Sequence, residues 1–224
     1  MKVENNHRKY MNKEGNTVPS VTQILSVVAK PYLIPWANKL GLEGIKLSEY
    51  NEGITGIGTL VHRKIEAYLN GEFMDDSGYP EEIRKQSDTV FNKFLRWESE
   101  NVVELMASEI PMSWDMYGGT LDAVITLNGV VTLIDWKTSK EIYPEYFSQL
   151  CAYHYLISNG QTPDGKELDF LSGKIEQIAV LQVPKEEGEA VLKTMLVSSD
   201  DFSVAFKYFM VCMELYNLKK KYKF

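Results

Sequence analysis

Cysteines, long apolar runs and phosphate-binding loops are scarce or absent in this 224-residue chain, and each absence excludes a class of protein. The two cysteines, Cys151 and Cys212, provide neither a disulfide framework nor the four thiolates of an iron–sulfur cluster. No apolar run approaches the roughly 18 residues that cross a bilayer, and residues 1–7 have neither the apolar core of a secretory signal nor the Arg- and Ser-rich composition of an organelle-targeting segment. We therefore expect a cytoplasmic protein with no membrane partner. No G-x-x-x-x-G-K-[S/T] loop is present, which excludes a P-loop motor.

Charge is distributed unevenly along the chain, which has a net charge of −7. Residues 1–50 carry a net charge of +3 and residues 205–224 a net charge of +4, which leaves −14 for residues 51–204. Two interpretations stay open. In the first, the basic ends bind phosphate groups around an acidic metal site. In the second, the lysine-rich segment 205–224 is a solvent-exposed helix without such a role.

A β-hairpin is the clearest structural prediction. Two runs of β-forming residues, 120–127 and 130–137, flank Asn128-Gly129. Asn-Gly between such runs is the strongest short-range hairpin signal. Asp122 lies six residues before Asn128 and Asp135 lies six residues after Gly129, so an in-register hairpin places the two carboxylates nearly opposite each other.

Asp122, Asp135 and Lys137 are the candidate catalytic residues. Residues two apart on a strand share a face, so Asp135 and Lys137 point the same way. Like charges directly opposite each other destabilise a sheet. A divalent cation offsets that repulsion, and carboxylate oxygens are hard ligands suited to Mg²⁺ or Mn²⁺. On these residues alone the alternative stays open, namely a solvated rim in which Lys137 pairs with either aspartate.

Helix and strand signals alternate along the rest of the chain. Ser20 and Gln23 form a predicted capping box at one helix start, and Thr59 is the predicted N-cap of a helix that ends at Asn70-Gly71. The other predicted helices span 36–40, 80–101, 144–158 and 200–221, and the other predicted strands span 102–114, 174–183 and 190–197.

Two of these helices and one strand carry further candidate residues. His62 and Glu66 lie four residues apart and share a helix face, although a histidine beside apolar residues is more often a satisfied interior group than a ligand. Gln149 and Tyr153 share a face of the helix at 144–158, where their polar groups can bind a phosphate or buttress a carboxylate. Glu109 lies on the strand before the hairpin and either reaches the site or points outward. Glu66 and Glu109 are therefore additional site candidates.

Five motifs follow one another in this chain: a helical G-x-x-x-H, a strand glutamate, G-x-x-D, D-x-K and a helical Q-x-x-x-Y. This order resembles the RecB-like branch of the PD-(D/E)xK nuclease superfamily. The stretch from Ser108 to Ser139 is especially similar to phage exonucleases and the mitochondrial genome maintenance exonuclease. The matching positions are Gly58 and His62, Glu109, Gly119 and Asp122, Asp135 and Lys137, and Gln149 and Tyr153.

The resemblance implies an α/β fold with a restriction-endonuclease-like core. In that core, helices flank a central mixed β-sheet, and a helical elaboration precedes it. We expect one nuclease domain over 1–224, with a mainly helical part at 1–101, a catalytic sheet core at 102–200 and a C-terminal helix at 201–224.

The resemblance also implies roles for individual residues. Asp122 and Asp135 are expected to bind Mg²⁺ or Mn²⁺, with His62 and the Trp136 main-chain carbonyl as further ligands. Lys137 is expected to orient or activate the attacking water and to stabilise developing negative charge. The helical pair Gln149 and Tyr153 is expected to line the site and help hold DNA.

Three functions follow as hypotheses. The first is a metal-dependent DNA exonuclease of a phage or bacterium, acting on single- or double-stranded linear DNA in recombination, replication or repair. It would work in the bacterial host cytoplasm if phage-encoded, with a homo-oligomer or a phage recombination protein as a partner. The second is a structure- or site-specific endonuclease on the same core. The third, a non-catalytic DNA-binding module, is disfavoured because every expected polar residue is present.

Overall fold

A mixed five-stranded sheet lies at the centre of the fold, with helices on both faces. The computed structural model describes residues 8–31, 33–166, 168 and 170–222. The helices are α1 (Val21–Leu25), α2 (Leu33–Leu42), α3 (Leu47–Asn70), α4 (Glu81–Ser99), α5 (Pro144–Asn159) and α6 (Asp200–Tyr222). The strands are β1 (Tyr10–Met11), β2 (Thr17–Val18), β3 (Val103–Ser113), β4 (Gly118–Leu127), β5 (Val130–Lys137), β6 (Gln177–Gln182) and β7 (Val191–Leu196). The expected α/β architecture is confirmed.

The central sheet has the strand order β3-β4-β5-β6-β7. Its neighbouring strands run antiparallel, except that β5 and β6 pair in parallel. Parallel neighbours need a crossover connection, and α5 supplies it. The carboxyl ends of β5 and β6 therefore meet at one edge, where Lys137 is in register with Gln182. Side chains at or beyond both strand ends can reach a common site.

The β4–β5 hairpin forms as predicted. Asn128 and Gly129 have φ angles of 50° and 88°, which are the left-handed values that a type I′ turn requires. The hydrogen-bonded register runs back from the turn to the pair Ala123 and Ile134. One further step brings Asp122 opposite Asp135, so the turn positions the two carboxylates.

Apolar clusters cover both faces of the sheet. Val124 and Leu133 pack in a cluster with α1, α5 and α6, whereas Ala123 and Ile134 pack in a second cluster with α3 and α4. Successive strand residues point to opposite faces, so a strand that is buried on both sides has a nearly continuous apolar sequence. Helices α3 and α6 consequently lie on opposite faces of the sheet.

Helix α3 is longer than the sequence indicates. The prediction of Thr59 as an N-cap is wrong, because α3 begins at Leu47 and Thr59 lies inside it. Three glycines in this stretch disfavour a helix, since each destabilises a helix interior by about 0.5–1 kcal/mol relative to alanine. A Cβ at Gly58 would lie 3.2 Å from the Thr138 hydroxyl oxygen. The missing side chain therefore lets α3 approach the end of β5.

The N-terminal region shows smaller differences from expectation. The capping box of Ser20 and Gln23 at the start of α1 is confirmed. Helix α2 extends on both sides of the predicted 36–40 segment, because Pro35 lies in its first turn, where its missing N–H is not needed. The ribbon formed by β1 and β2 was not predicted. Among the described helices, none is long and apolar enough to cross a bilayer.

Candidate active site

Asp135 and Lys137 form the centre of the candidate site, at the end of β5. Lys137 Nζ lies 2.6 Å from Asp135 Oδ2. Asp135 is 1% exposed, and neither of its side-chain oxygens accepts a well-directed hydrogen bond from the described part of the protein. Buried polar atoms nearly always have hydrogen-bond partners. The Lys137 charge therefore offsets part of the carboxylate charge but leaves its oxygens available to another cation.

The electrostatics of the pair reflect burial. Burial raises the pKa of Asp135 to about 6, with Lys137 opposing the shift. Burial also raises the pKa of Asp122, again against the pull of Lys137. Burial disfavours the charged form of Lys137, but attraction to Asp135 and Asp122 outweighs it and raises the pKa of the lysine. The site thus holds two poorly solvated carboxylates against one ammonium.

His62 reaches this site from α3. Its Nδ1 atom lies 3.3 Å from Asp122 Oδ2, and its side chain is 28% exposed where it lines a cleft. Burial lowers the pKa of His62 to about 4, and Lys137 adds to the shift. The imidazole is therefore neutral near pH 7, which is the form that binds metal ions. His62 faces the cleft rather than the apolar interior.

The main chain of Trp136 connects His62 with Asp122. Its N–H donates to Asp122 Oδ2 at 2.9 Å, and its main chain also interacts with His62, which opposes the lowering of the histidine pKa. The indole ring is buried in the cluster with α3 and α4, where it packs edge-on against Phe94. Packing of this ring holds the carbonyl and the two side chains around one point.

Glu109 and Glu66 line the same cleft. Burial raises the pKa of Glu109 to about 7, and the charges of Asp122 and Glu66 add to the shift. Glu109 has a φ angle of 48°, a left-handed conformation that is uncommon outside glycine and concentrates at functional sites. Of the two orientations left open by the sequence, the structure has Glu109 facing the site.

Gln149 and Tyr153 lie behind the carboxylates rather than on an open surface. Gln149 Nε2 donates to Tyr153 Oη at 3.0 Å, and the two residues are only 8% and 4% exposed. Burial, together with the charge of Asp135, raises the pKa of Tyr153 well above its ordinary value. A Cβ at Gly119 would lie 2.4 Å from Tyr153 Cε1, so the glycine makes room for this ring. The two side chains therefore support the site from within the protein and offer little surface for contact with a substrate.

The described chain also forms an open cleft of about 630 Å³ beside these residues. Two basic side chains that the sequence reasoning missed, Arg63 and Lys185, line it. Arg63 donates to the Tyr79 hydroxyl at 3.0 Å, whereas Lys185 forms no hydrogen bond or ion pair within the described residues. Burial lowers the pKa of Lys185, with Glu186 opposing. The sequence signal that could have identified Lys185 is its position just after a predicted strand, which the structure shows to be β6, parallel to β5.

A model of the PD-(D/E)XK nuclease superfamily matches residues 38–217, which is most of the chain. This chain belongs to that superfamily. Among known proteins, the nuclease is similar to mouse mitochondrial genome maintenance exonuclease 1, with 28% identity over 144 residues. That match covers 58% of this chain and 40% of the mouse protein. The nuclease thus aligns with less than half of that relative.

Nucleases of this superfamily generally use divalent metal ions, and the donors of this nuclease fit one. Carboxylate oxygens, a neutral imidazole nitrogen and a main-chain carbonyl converge. The deciding observation is that the oxygens of buried Asp135, beside Lys137, accept no well-directed hydrogen bond within the described residues. Within the residues described, no three His, Cys, Asp or Glu side chains are already assembled as a metal site. Lys137 is the cation that balances Asp135 in this arrangement.

Proposed function

We propose that this nuclease is an Mg²⁺- or Mn²⁺-dependent exonuclease that hydrolyses the phosphodiester bonds of linear DNA. One observation carries the proposal: neutral His62, Asp122 and the buried carboxylate of Asp135, which accepts no well-directed hydrogen bond within the described residues, converge beside Lys137 at an open cleft. We further propose that residues 1–224 act as one nuclease domain in the cytoplasm.

We assign the metal ligands as His62, Asp122, Asp135 and the Trp136 carbonyl. A bound divalent ion supplies Lewis-acid chemistry, which polarises phosphoryl oxygens and lowers the pKa of water. The protein contributes a fixed set of donors, because the Trp136 N–H holds Asp122 and the Trp136 main chain interacts with His62. Glu66 and Glu109 are additional ligands or charge partners at the cleft.

Lys137 is assigned a catalytic role. Its ammonium is charged near pH 7, since both aspartates raise its pKa. It also lies 5.0 Å from the centre of the Tyr146 ring, which favours a fixed position for the cation. A compact, correctly placed ammonium orients the attacking water and stabilises negative charge that develops on phosphate oxygens.

DNA is the proposed substrate, and basic side chains around the cleft are its proposed phosphate contacts. Lys185 and Arg63 line the same cleft as His62 and Lys137. Gln149 and Tyr153, assigned to substrate binding, act chiefly by holding the wall behind Asp135, because so little of their surface is exposed.

The mouse relative is named as an exonuclease, and this favours cutting from DNA ends over internal cutting. A phage or bacterial role in recombination, replication or repair is proposed from the resemblance of residues 108–139 to phage exonucleases. A structure- or site-specific endonuclease is the alternative, since the same core can serve both reactions.

The test incubates end-labelled linear DNA and closed circular DNA with Mg²⁺, Mn²⁺ or EDTA. We expect metal-dependent shortening of the linear DNA alone. Asp122→Asn, Asp135→Asn and Lys137→Ala should each reduce cleavage by about 100-fold or more, as loss of one charge-stabilising group typically does. The matched controls are Asp115→Asn and Lys193→Ala, both exposed, and they should retain activity.

Each remaining outcome has a fixed meaning. Cutting of the closed circle establishes the endonuclease alternative. DNA binding without metal-dependent cleavage establishes a non-catalytic module. Full activity in a purified, folded Asp122 or Asp135 variant refutes the proposed site.

A further inference from the structure

Helix α6 has apolar side chains on two opposite faces. One face packs into the protein through Phe202, Phe206, Phe209 and Met213, in the cluster shared with α1 and α5. This inner face alone accounts for the attachment of α6 to the sheet. A helix whose opposite side is also apolar requires a second apolar partner.

The opposite face carries an outer seam, consisting of Val204, Tyr208, Val211, Leu215 and Leu218. These side chains are 41 to 67% exposed. They recur at alternating spacings of four and three residues, and Tyr222 repeats the spacing once more. Such spacing is that of a helix that packs along its length against another helix. Continuous exposed apolar patches on soluble proteins mark interaction sites.

A groove of about 410 Å³ runs beside the outer seam, lined by α6 residues that include Met210, Val211 and Leu218. Side chains of a second helix can enter such a groove as knobs enter holes. The groove adds Met210 and Met213 to the apolar surface of the outer seam, and its remaining lining is polar or charged: Lys207, Glu214, Asn217 and Lys221. At a rise of about 1.5 Å per residue, the stretch from Val204 to Leu218 is about 21 Å long.

Charges at the two ends of α6 indicate which helix fits. Asp200 and Asp201 occupy its first turn, and Lys219, Lys220 and Lys221 occupy its last turn. A second copy of α6 in antiparallel orientation brings the acidic end of each helix beside the basic end of the other. A parallel copy would place like charges together. In the antiparallel register that pairs Tyr208 with Leu218 and Val211 with Leu215 of the second copy, Lys221 of that copy lies opposite residue 205, four residues or about 6 Å along the axis from Asp201.

We propose that two copies of this chain form a twofold-symmetric dimer by antiparallel pairing of α6 through the outer seam. The same surface is used by both copies, as in most soluble dimers. Helix α6 lies on the face of the sheet opposite α3, which contributes the cleft wall around His62. Both clefts therefore stay open in the dimer, and dimerisation does not depend on nuclease activity.

The first test measures the molar mass of the full chain by light scattering and sedimentation at about 1 to 100 µM protein, because dimers respond to concentration. We expect twice the chain mass of 25.6 kDa. Val211→Glu with Leu215→Glu should raise the dimer dissociation constant by at least about 30-fold, the loss typical of central interface residues. The control pair, Leu42→Glu with Phe73→Glu, alters apolar residues that are more exposed than those of the seam, and this variant should remain dimeric.

The second test concerns orientation. Changing Lys219, Lys220 and Lys221 to Glu should weaken the dimer, and adding Asp200→Lys with Asp201→Lys should restore it. Failure of that restoration in folded protein refutes the antiparallel arrangement. A wild-type chain that stays monomeric, or a seam variant that stays dimeric with an unchanged circular dichroism spectrum, overturns the proposed pairing. Cleavage assays run in parallel separate this result from the proposed nuclease activity.

Discussion

Asp135→Asn should make the metal-free protein more stable while it abolishes cleavage. Asn has nearly the same shape as Asp but no charge. In the folded protein the Asp135 carboxylate is buried and receives no well-directed hydrogen bond within the described residues. The charge that the proposed activity needs is therefore a charge that the fold accommodates poorly.

The magnitude follows from the pKa of Asp135, which is raised from 3.8 to about 6. A shift of about two pKa units corresponds to about 3 kcal/mol against the ionised form in the folded state, with the attraction of Lys137 already included. Burying an amide offsets part of this gain. We expect the free energy of unfolding to rise by about 1–3 kcal/mol near pH 7, or Tm by about 2–10 °C for a chain of this size.

The effect has a defined pH dependence. Because the carboxyl of Asp135 ionises at higher pH in the folded than in the unfolded chain, its contribution to stability is retained below about pH 4 and lost by about pH 6. The advantage of the Asn variant should therefore be small at pH 4 and complete above pH 6. The pKa of His62 is lowered to about 4. Protonation of this histidine in the unfolded chain therefore lowers the stability of the fold as pH falls below 6.5, which is opposite to the effect of Asp135. Only the difference between variant and wild type isolates Asp135.

Thermal denaturation in EDTA, at several pH values, measures this difference, with Asp115→Asn as the exposed control. Adding Mn²⁺ should raise the Tm of the wild type and leave that of Asp135→Asn almost unchanged, since ligand binding stabilises only the state that binds. If Asp135→Asn unfolds more easily than the wild type in EDTA, the carboxylate stabilises the fold through Lys137 and the reasoning is wrong.

Three further predictions concern other parts of the site. His62→Ala should raise the Mn²⁺ concentration needed for half-maximal cleavage by about tenfold or more, because a nitrogen ligand is lost. Gly119→Ala should lower the free energy of unfolding in urea by about 1–3 kcal/mol, because its Cβ overlaps the Tyr153 ring. Lys185→Ala should reduce the salt dependence of binding to uncleaved DNA, as a log–log slope, by about one.

Two exposed positions, Gly41 and Lys193, serve as controls for these predictions. Gly41→Ala adds a Cβ that meets no atom within 4 Å and should not destabilise the protein. Lys193→Ala, on an exposed position of β7, should leave the salt slope unchanged. An unaltered Mn²⁺ requirement in His62→Ala, or a salt slope in Lys185→Ala equal to that of the wild type, contradicts the corresponding assignment.

Local signals predicted much of the sheet and of the site. Asn128-Gly129 predicted a two-residue turn, and such a turn sets the register of the hairpin. In that register Asp122 lies opposite Asp135. The two-residue period of a strand then placed Lys137 beside Asp135, as observed. The turn, the register and the strand period depend only on residues close in sequence, so they can be predicted from the sequence.

Features that depend on distant contacts were not predictable in the same way. Helix α3 begins at Leu47 although its glycines disfavour a helix. Gly58 lies where a Cβ would be only 3.2 Å from the Thr138 hydroxyl oxygen, a contact that depends on the position of β5 and not on nearby sequence. Lys185 reaches the cleft only because β6 pairs in parallel with β5. The burial that shifts the pKa values of His62 and Asp135 likewise exists only in the assembled fold.

The central claim is that a divalent ion binds between Asp122, Asp135 and His62. Anomalous scattering from crystals grown with Mn²⁺ tests it most directly, because manganese is located without reference to a model of its ligands. The account predicts one strong peak within about 2.0–2.3 Å of an oxygen from each aspartate and a nitrogen of His62, as such ions require. A peak elsewhere, or none under conditions that support cleavage, contradicts it.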